Sequence, residues 1–362
     1  MTALKLGSLF DGIGVFPLAA MHCGIEPVWA SEIEARPISI TRRHFPDMLH
    51  LGDITKISGA EIPPVDVITF GSPCQDLSQI GTRNGFAGKK SSLFYQAMRI
   101  IEEMRYATNG RYPAFTVWEN VAGAFSSHDR LDFAAMLRAF TGAEVSVPPR
   151  GWAHAGMVRG GRADTAWRLL DAQYWGEPAL VQRRKRVFVV ADFAGQRAGE
   201  VLFKPRTVLP FSAIGGPGGL SATAGSGVPA AQTGRQVPIV RPFSLRRMRT
   251  MAQVGDQKGF CASFGRGGEP FPTLLASVTA PFSFWYEGEE QDGFLRVLTP
   301  LECERLMGLP ENWTKYGCKD EEISDHARYR ALGNSIALPC AEYVMAGIAE
   351  VMNWNLEVFL WN

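Results

Sequence analysis

A cysteine in a rigid turn is the first candidate for chemistry in this sequence. Cys74 follows Pro73 shortly after an apolar run at 65–70, in "VDVITFGSPCQD". Proline fixes its own φ angle and disfavours helix at the residue before it, so the thiol should be held beyond the end of a strand. A lone cysteine is most often a buried apolar side chain. Beside cations or a helix N-terminus, however, the same thiol becomes a thiolate and a nucleophile.

Two further strand ends carry groups that could stabilise charge on a substrate. Glu119, in "VWENV", follows apolar residues, so burial should raise its pKa and let it donate a proton near neutral pH. In "VQRRKRVF", Gln182, Arg184 and Arg186 open another strand, and the two arginines alternate onto one face suited to phosphate or carbonyl oxygen. A solvated carboxylate and a solvated basic patch are the alternatives.

Three other strand ends together predict a nucleoside site. "SLFDGIGVF" joins a strand to a helix through Gly12 and Gly14, which would let a ligand approach the backbone at the helix N-terminus. Glu32 follows the next strand, where a ribose hydroxyl would need an acceptor. Asp53, in "GDIT", could accept a hydrogen bond from an exocyclic amine. Each signal is weak alone, since two glycines in a turn are more often plain turn chemistry.

The first half of the chain predicts a frame that brings these strand ends together. Apolar strands alternate with amphipathic helices, which indicates an α/β fold with a parallel sheet covered by helices. Ligands collect at the carboxyl ends of the strands in such sheets. We expect strands at 4–10, 26–31, 65–70, 114–119 and 186–192, and helices at 15–23, 35–44, 93–105 and 133–140.

Composition narrows the class of protein. Basic and acidic side chains balance, 37 against 36, so any nucleic-acid surface must be local. The six cysteines lack C-x-x-C or paired spacing, which argues against a disulfide framework and a structural zinc site. No apolar leader precedes the first strand, and no apolar run reaches membrane-spanning length. We therefore expect a reduced, cytoplasmic protein without a metal.

The second half of the chain predicts a small additional unit. Between 194 and 293 the α/β alternation stops, and glycine, serine and proline dominate ahead of a cluster of arginines. Disorder and structure are equally consistent with residues 214–234. At Thr299, "TPLE" has the spacing of a capping box and starts a helix. The expected domains are a catalytic unit at 1–193 and 294–362 and a mostly irregular or β unit at 194–293.

In chain order, these motifs resemble those of the cytosine-C5 DNA methyltransferases of bacterial or phage type. "LFDGIG", Glu32, "GDI", "GSPCQDLS", "ENV", "QRRKR", "RVLTPLECERLMGLP" and "ALGNSIALP" occur in that family's order. The variable segment lies where the family has its target-recognition domain. The resemblance covers nearly the whole chain. It implies a Rossmann-like methyltransferase fold, S-adenosylmethionine as cofactor with S-adenosylhomocysteine as product, and double-stranded DNA as substrate.

The resemblance also implies roles for single residues. Cys74 would add to C6 of cytosine, Glu119 would hydrogen-bond or protonate N3, and Arg186 would hold O2. Arg184 belongs to the same catalytic motif and would contact a phosphate or support the structure. The implied cofactor contacts are Phe10 near the adenine, Gly12 and Gly14 at the turn, Glu32 at the ribose, Asp53 at the adenine amine and Asn334 at the methionine end.

Chemistry on cytosine requires the base to be flipped out of the duplex. The loop at 76–92 would close over it, with basic residues on the DNA backbone, whereas an ordinary surface loop is the alternative. Thr273 and Leu274, in "FPTLLAS", resemble the Thr-Leu pair of the family's recognition domains. The expected DNA contacts are Arg83, Lys89, Lys90, Thr273 and Leu274.

Two residues depart from the family pattern. Val15 stands where a second glycine is usual and could crowd the cofactor turn, and Val181 stands where proline is usual. Three alternatives stay open: an RNA-directed methyltransferase of the same fold, a nicotinamide-dependent oxidoreductase and a non-catalytic DNA-binding regulator. We expect a monomer on DNA, acting alone or beside a restriction endonuclease.

Overall fold

The structure is a computed structural model that describes most of the chain. Side chains are described at 3–72, 93–204, 271, 273, 274 and 297–352, and backbone alone at 239–242, 282–286, 293–296 and 353–359. The sequence predictions for Cys74, Arg83, Lys89, Lys90 and the segment 214–234 lie outside the described residues and stay predictions.

Two β-sheets organise the described part of the chain. The strands are β1 Leu4–Leu9, β2 Ile25–Ser31, β3 Leu49–His50, β4 Val67–Phe70, β5 Phe115–Val121, β6 Ala155–Arg159, β7 Asp164–Asp171, β8 Lys185–Asp192, β9 Ile239–Pro242, β10 Phe282–Tyr286 and β11 Gly293–Val297. An eight-stranded sheet has the order β3-β2-β1-β4-β5-β8-β7-β6. The last three strands form a separate sheet in the order β11-β10-β9.

Helices cover both faces of the large sheet. They are α1 Val15–His22, α2 Ala35–His44, α3 Leu93–Ala107, α4 Leu131–Thr141, α5 Ala198–Leu202, α6 Pro300–Leu306, α7 Asp325–Asn334 and α8 Leu338–Phe359. One core contains buried side chains of α1 and α8, such as Ala19 and Val344. A second core contains Phe94 of α3 and Leu137 of α4, packed against the opposite sheet face. The sheet is thus enclosed on both sides, as its nearly continuous apolar strands require.

The prediction of a wholly parallel sheet is wrong for three of the pairings. β1 to β5 pair in parallel as expected, but β5 with β8, β8 with β7 and β7 with β6 are antiparallel. Two strands that the sequence did not suggest, β6 and β7, accompany the reversal. β7 pairs antiparallel with β8 and, across a four-residue connection at 160–163, with β6. Because β8 runs against β5, the residues that open β8 lie at the carboxyl end of β5.

The other predicted elements are confirmed to within a few residues. The helix at 35–44 has the predicted bounds. The capping box at Thr299 is also present: the hydroxyl Oγ1 accepts from the N–H of Glu302 at 3.3 Å, and the Glu302 carboxylate accepts from the N–H of Thr299 at 2.8 Å. These features depend on local sequence, which is why they could be predicted.

The boundary of the second unit stays a prediction, with two structural facts beside it. Helix α5 packs into the main core through Ala198, Val201 and Leu202. Beyond α5, the described strands of the expected recognition region are β9 and β10, which form an antiparallel sheet with β11 at its boundary. Within the described residues, no single helix is long and apolar enough to cross a membrane. Helix α7 and the first part of α8 reach that length and apolar character only together, and the pair is bent by 43°.

Candidate active site

The carboxyl ends of β4 and β5 lie side by side and hold the backbone that leads to Cys74. The indole Nε1 of Trp118 donates to Ser72 Oγ at 3.1 Å. The amide Nδ2 of Asn120 donates to the backbone carbonyl of Ser72 at 2.9 Å. All three residues are buried. The chain is therefore fixed to β5 two residues before the predicted nucleophile.

Glu119 lies at this edge with its carboxyl group facing the same backbone. A Cβ atom built on Gly71 would lie 3.1 Å from Glu119 Oε2, so the carboxylate lies directly above a residue that has no side chain. Glu119 is 9% exposed, and burial raises its pKa, with the charges of Arg186 and Arg184 opposing the shift. This is the environment expected of a carboxyl group that donates a proton near neutral pH.

Arg186 pairs with Glu119 across β5 and β8. Its Nε lies 2.9 Å from Glu119 Oε1 in a largely buried ion pair, and this contact opposes the rise in the pKa of Glu119. The guanidinium therefore balances part of the charge of the carboxylate inside the protein.

Arg184 was expected either to contact a phosphate or to support the structure, and its surroundings favour the second role. It is 1% exposed, and its guanidinium donates to the backbone carbonyls of Leu274, Gly333 and Ser335. Burial lowers its pKa to about 9. A phosphate contact requires an accessible guanidinium, so the described structure places Arg184 as a buried support near Glu119.

Most of the residues that surround Arg184 are also buried, whereas Thr273 is half-buried. Gln182 pairs with Phe271 in an isolated β-bridge, and its Nε2 donates to the Leu306 carbonyl at 3.5 Å. Thr273 donates its hydroxyl to the Arg183 carbonyl at 2.6 Å. The side chain of Leu274 is buried in the main core, which leaves it little surface for the DNA contact that the sequence suggested.

The β1–α1 turn has the open backbone expected of a nucleotide-type site. Phe10, Gly12 and Gly14 have positive φ angles of 55°, 60° and 77°. The N–H of Gly12 donates to Glu32 Oε2 at 3.0 Å, which ties the turn to the end of β2. Val15 is buried in the main core at the start of α1, so its side chain packs inward.

Asp11 is a site residue that sequence reasoning missed. Both of its carboxylate oxygens are buried, with the hydroxyls of Ser8 and Thr41 nearby. Burial raises its pKa to about 7, hydrogen bonding with Ser8 and Thr41 opposes the shift, and the nearby negative charge of Glu32 adds to it. The position of this acid between Phe10 and Gly12 could have identified it as a candidate, but the sequence does not show that it is buried.

The remaining predicted cofactor residues lie at other strand and helix ends. Asp53 Oδ1 accepts from the N–H and the hydroxyl of Thr55, at 2.9 and 2.8 Å, and these bonds lower its pKa. Asn334 is exposed at the end of α7. Ile33, directly after Glu32, is 72% exposed, an apolar surface beside the expected ribose site. Within the described part of the chain, no group of three or more His, Cys, Asp or Glu side chains could hold a metal ion.

The fold is that of a Rossmann-like methyltransferase. A structure of a putative DNA modification methyltransferase encoded within an Escherichia coli prophage is similar, with a TM-score of 0.59 and 18% identity. The similarity covers 97% of this chain and 100% of that one. More specifically, the chain belongs to the family of C-5 cytosine-specific DNA methylases, whose family model matches residues 4–203 and 244–350.

Curated relatives cover nearly all of the chain. A protein named DNA N-6-adenine-methyltransferase, from Escherichia phage P1, is 24% identical over 463 aligned residues, which cover 95% of this chain and 61% of the relative. The Type II methyltransferase M.HhaI of Haemophilus parahaemolyticus is 24% identical over 370 residues, 98% of this chain and 97% of the relative. The family, and with it the predicted class of DNA (cytosine-5-)-methyltransferase using S-adenosylmethionine, is confirmed.

Proposed function

We propose that this methyltransferase acts on a cytosine flipped out of a specific duplex sequence, through a covalent bond between Cys74 and C6. The observation that carries the proposal is the buried Glu119–Arg186 pair beside the backbone leading to Cys74. C5 of cytosine is a poor nucleophile, and addition of a thiolate at C6 creates an electron-rich C5. That addition moves charge toward N3 and O2, where a proton donor and a cation are needed.

The roles of the residues follow from this charge development. The Cys74 thiolate forms the bond to C6, Glu119 donates a proton or hydrogen bond to N3, and Arg186 holds O2. C5 would take the methyl group from the sulfonium, whose S–CH3 bond breaks and leaves S-adenosylhomocysteine, and a base would then remove the C5 proton. As the C6–sulfur bond breaks, Cys74 leaves as the thiolate, a proton given to N3 returns to Glu119, and the aromatic ring is restored. Burial of Glu119 supports its role because it keeps the carboxyl protonated at a higher pH than usual.

The residues at the β1–α1 turn fit S-adenosylmethionine. This cofactor supplies a methyl group on a positively charged sulfonium and also carries an ammonium group. Asp11 offers a buried carboxyl group at the turn, and the negative charge of Glu32 is close enough to raise its pKa. A Cβ atom built on Gly12 would meet no described atom within 4 Å, which leaves room for a ligand beside the backbone of the turn, whereas Gly14 is buried against Phe45 and Thr41.

The ends of the cofactor have further candidate contacts. We assign Glu32 to the ribose hydroxyls, Asp53 to the adenine amine and Asn334 to the methionine end. The adenine would lie between Phe10 and the exposed side chain of Ile33. Asp53 supports this role because hydrogen bonds from Thr55 keep its carboxylate ionised and oriented.

DNA contacts and cellular setting complete the proposal. Arg83, Lys89 and Lys90 would contact the backbone of the DNA as the loop at 76–92 closes. Thr273 would lie in a short stretch at 271–274, called the recognition segment below. The enzyme would act as a cytoplasmic monomer. The similarity to M.HhaI, a Type II methyltransferase, supports a functional link to a restriction endonuclease.

Product analysis tests the proposal against its alternatives. The purified protein is incubated with labelled S-adenosylmethionine and either duplex DNA or RNA, and the products are digested to nucleosides. We expect 5-methylcytosine in DNA. The name of the phage P1 relative makes N6-methyladenine the second product to be sought. Label in methyladenine or only in RNA, or no label with a folded protein that binds S-adenosylhomocysteine, would contradict the proposal.

A further inference from the structure

The backbone of Arg184 is fixed to the large sheet. Its N–H donates to Asp171 Oδ1 at 3.0 Å, and its carbonyl accepts from the N–H of Ala172 at 3.0 Å. Asp171 is the last residue of β7 and is buried. The side chain of Arg184 therefore starts from a rigid point, and its direction is set by what its guanidinium contacts.

The guanidinium of Arg184 joins two chain segments that are distant in sequence. Its Nη1 donates to the carbonyl of Leu274 at 2.9 Å. Its Nη2 donates to the carbonyl of Gly333 at 2.9 Å and also to that of Ser335. Gly333 and Ser335 flank Asn334, the residue assigned to the methionine end of the cofactor. One side chain thus holds the backbone on both sides of a cofactor residue and the end of the recognition segment.

The recognition segment is attached to the strand entry just before Arg184. The N–H of Phe271 donates to the Val181 carbonyl at 2.6 Å, and the N–H of Arg183 donates to the Phe271 carbonyl at 2.7 Å. The hydroxyl of Thr273 donates to the Arg183 carbonyl at 2.6 Å. The backbone around Thr273 is therefore positioned by residues 181–184, and the guanidinium of Arg184 completes that attachment at Leu274.

Burial makes this arrangement sensitive to movement of either segment. Among the described residues, no carboxylate forms an ion pair with Arg184, so carbonyl dipoles are its hydrogen-bond acceptors. Burial and the like charge of Arg186 together lower its pKa to about 9, although the negative charge of Glu119 opposes the shift. If Leu274 or the turn at 333–335 moved away, charged donors would lose their acceptors inside the protein, which is costly.

We propose that Arg184 couples the binding of DNA to the binding of the cofactor, because its one guanidinium fixes both the recognition segment and the backbone around Asn334. This inference rests on the proposed function, and it makes Arg184 a positioning residue. DNA that holds the recognition segment in place also holds the guanidinium that fixes 333–335, and a cofactor bound at 333–335 does the reverse. Such coupling is reciprocal by thermodynamic necessity.

The test measures binding with S-adenosylhomocysteine, which cannot support methyl transfer. Its dissociation constant is measured by calorimetry with and without a short duplex that the wild-type enzyme methylates, and that of the duplex with and without S-adenosylhomocysteine. We expect each ligand to tighten the other by about tenfold in the wild type. In Arg184→Lys, which keeps the charge but loses the planar fork, the factor should fall to within about twofold.

Arg168→Lys is the matched control. Arg168 is also partly buried, and its guanidinium donates to the Leu202 carbonyl and the Tyr343 hydroxyl, with no described bond to the recognition segment or the turn at 333–335. Its coupling factor should equal that of the wild type. An unchanged factor in Arg184→Lys, or no coupling in a wild type that methylates DNA, overturns the inference and leaves the proposed function intact.

A measurement without substitution covers the case in which Arg184→Lys does not fold. In the wild type, S-adenosylhomocysteine alone should slow amide hydrogen exchange in peptides that contain residues 271–274. The duplex alone should slow exchange in peptides that contain residues 333–336. If each ligand protects only its own segment, the coupling through Arg184 is refuted.

Discussion

Glu119 Oε1 lies 2.9 Å from Arg186 Nε, although one residue closes a strand and the other opens one. This contact exists because β8 runs antiparallel to β5, with Arg186 opposite Val121 in the register. A parallel β8 would have placed Arg186 at the far edge of the sheet. The direction of one strand therefore brings the proton donor and the cation together.

Glu119→Gln should lose the proton donor while keeping the shape of the side chain. We expect kcat to fall by about 10²–10⁴-fold, with little change in the affinity for S-adenosylhomocysteine. Steady-state kinetics and calorimetry measure the two quantities. Glu103→Gln is a matched control, because Glu103 also pairs with an arginine at 2.9 Å but lies on α3. Equal losses in both variants would contradict the role of Glu119.

The pH dependence of the reaction should report the pKa of Glu119. Burial raises that pKa, so the protonated form persists above the usual range of a glutamate and is lost as the pH rises through the raised value. The rate should fall along this alkaline limb. In Arg186→Met, loss of the opposing positive charge should move the limb to higher pH and lower the maximal rate. An alkaline limb that does not move would show that Glu119 is not the titrating group.

Asn120→Ala should release the backbone before the nucleophile. The variant loses the hydrogen bond to Ser72 and leaves a buried carbonyl unpaired, which should cost about 1–3 kcal/mol in the free energy of unfolding. Urea denaturation measures this loss. The rate of covalent attack should also fall, because Cys74 is held less firmly. A variant with reduced stability and an unchanged rate of attack would separate Asn120 from catalysis.

Asp11→Asn should stabilise the protein without ligand, and the gain should depend on pH. The pKa of Asp11 is raised from 3.8 to about 7, so the unfolded chain releases this proton at lower pH than the folded protein does. Compared with the variant, the wild type therefore has its highest free energy of unfolding below pH 3.8. This free energy falls progressively as the pH rises to about 7. Thermal unfolding across this range should show a growing advantage of the variant, which then stays constant. The same variant should bind S-adenosylmethionine more weakly, and unchanged affinity would contradict the contact proposed for Asp11.

Local features could be predicted from the sequence, and contacts between distant segments could not. The helix at 35–44 and the capping box at Thr299 depend on neighbouring residues, and both are present as expected. The direction of β8 depends on its antiparallel pairing with β5 and with β7, and the sequence did not suggest a strand at β7.

The environment of Arg184 shows the same limit within the candidate site. Its acceptors at Leu274 and Gly333 come from segments far along the chain, so the sequence left open whether it contacts a phosphate or supports the structure. Burial of its guanidinium favours structural support. Asp11 was missed for a related reason, because a carboxyl in a glycine turn is usually solvated and only packing buries it.

The most direct test of the central claim is covalent trapping on a duplex that carries 5-fluorocytosine at the methylated position. Fluorine at C5 cannot leave as a proton would, so the enzyme should stay bound to C6 after methyl transfer. With S-adenosylmethionine present, peptide mass mapping should find the adduct on Cys74, and Cys74→Ser should form none. An adduct on another cysteine, such as the exposed Cys318, or no adduct from an enzyme that methylates the ordinary duplex, would contradict the account.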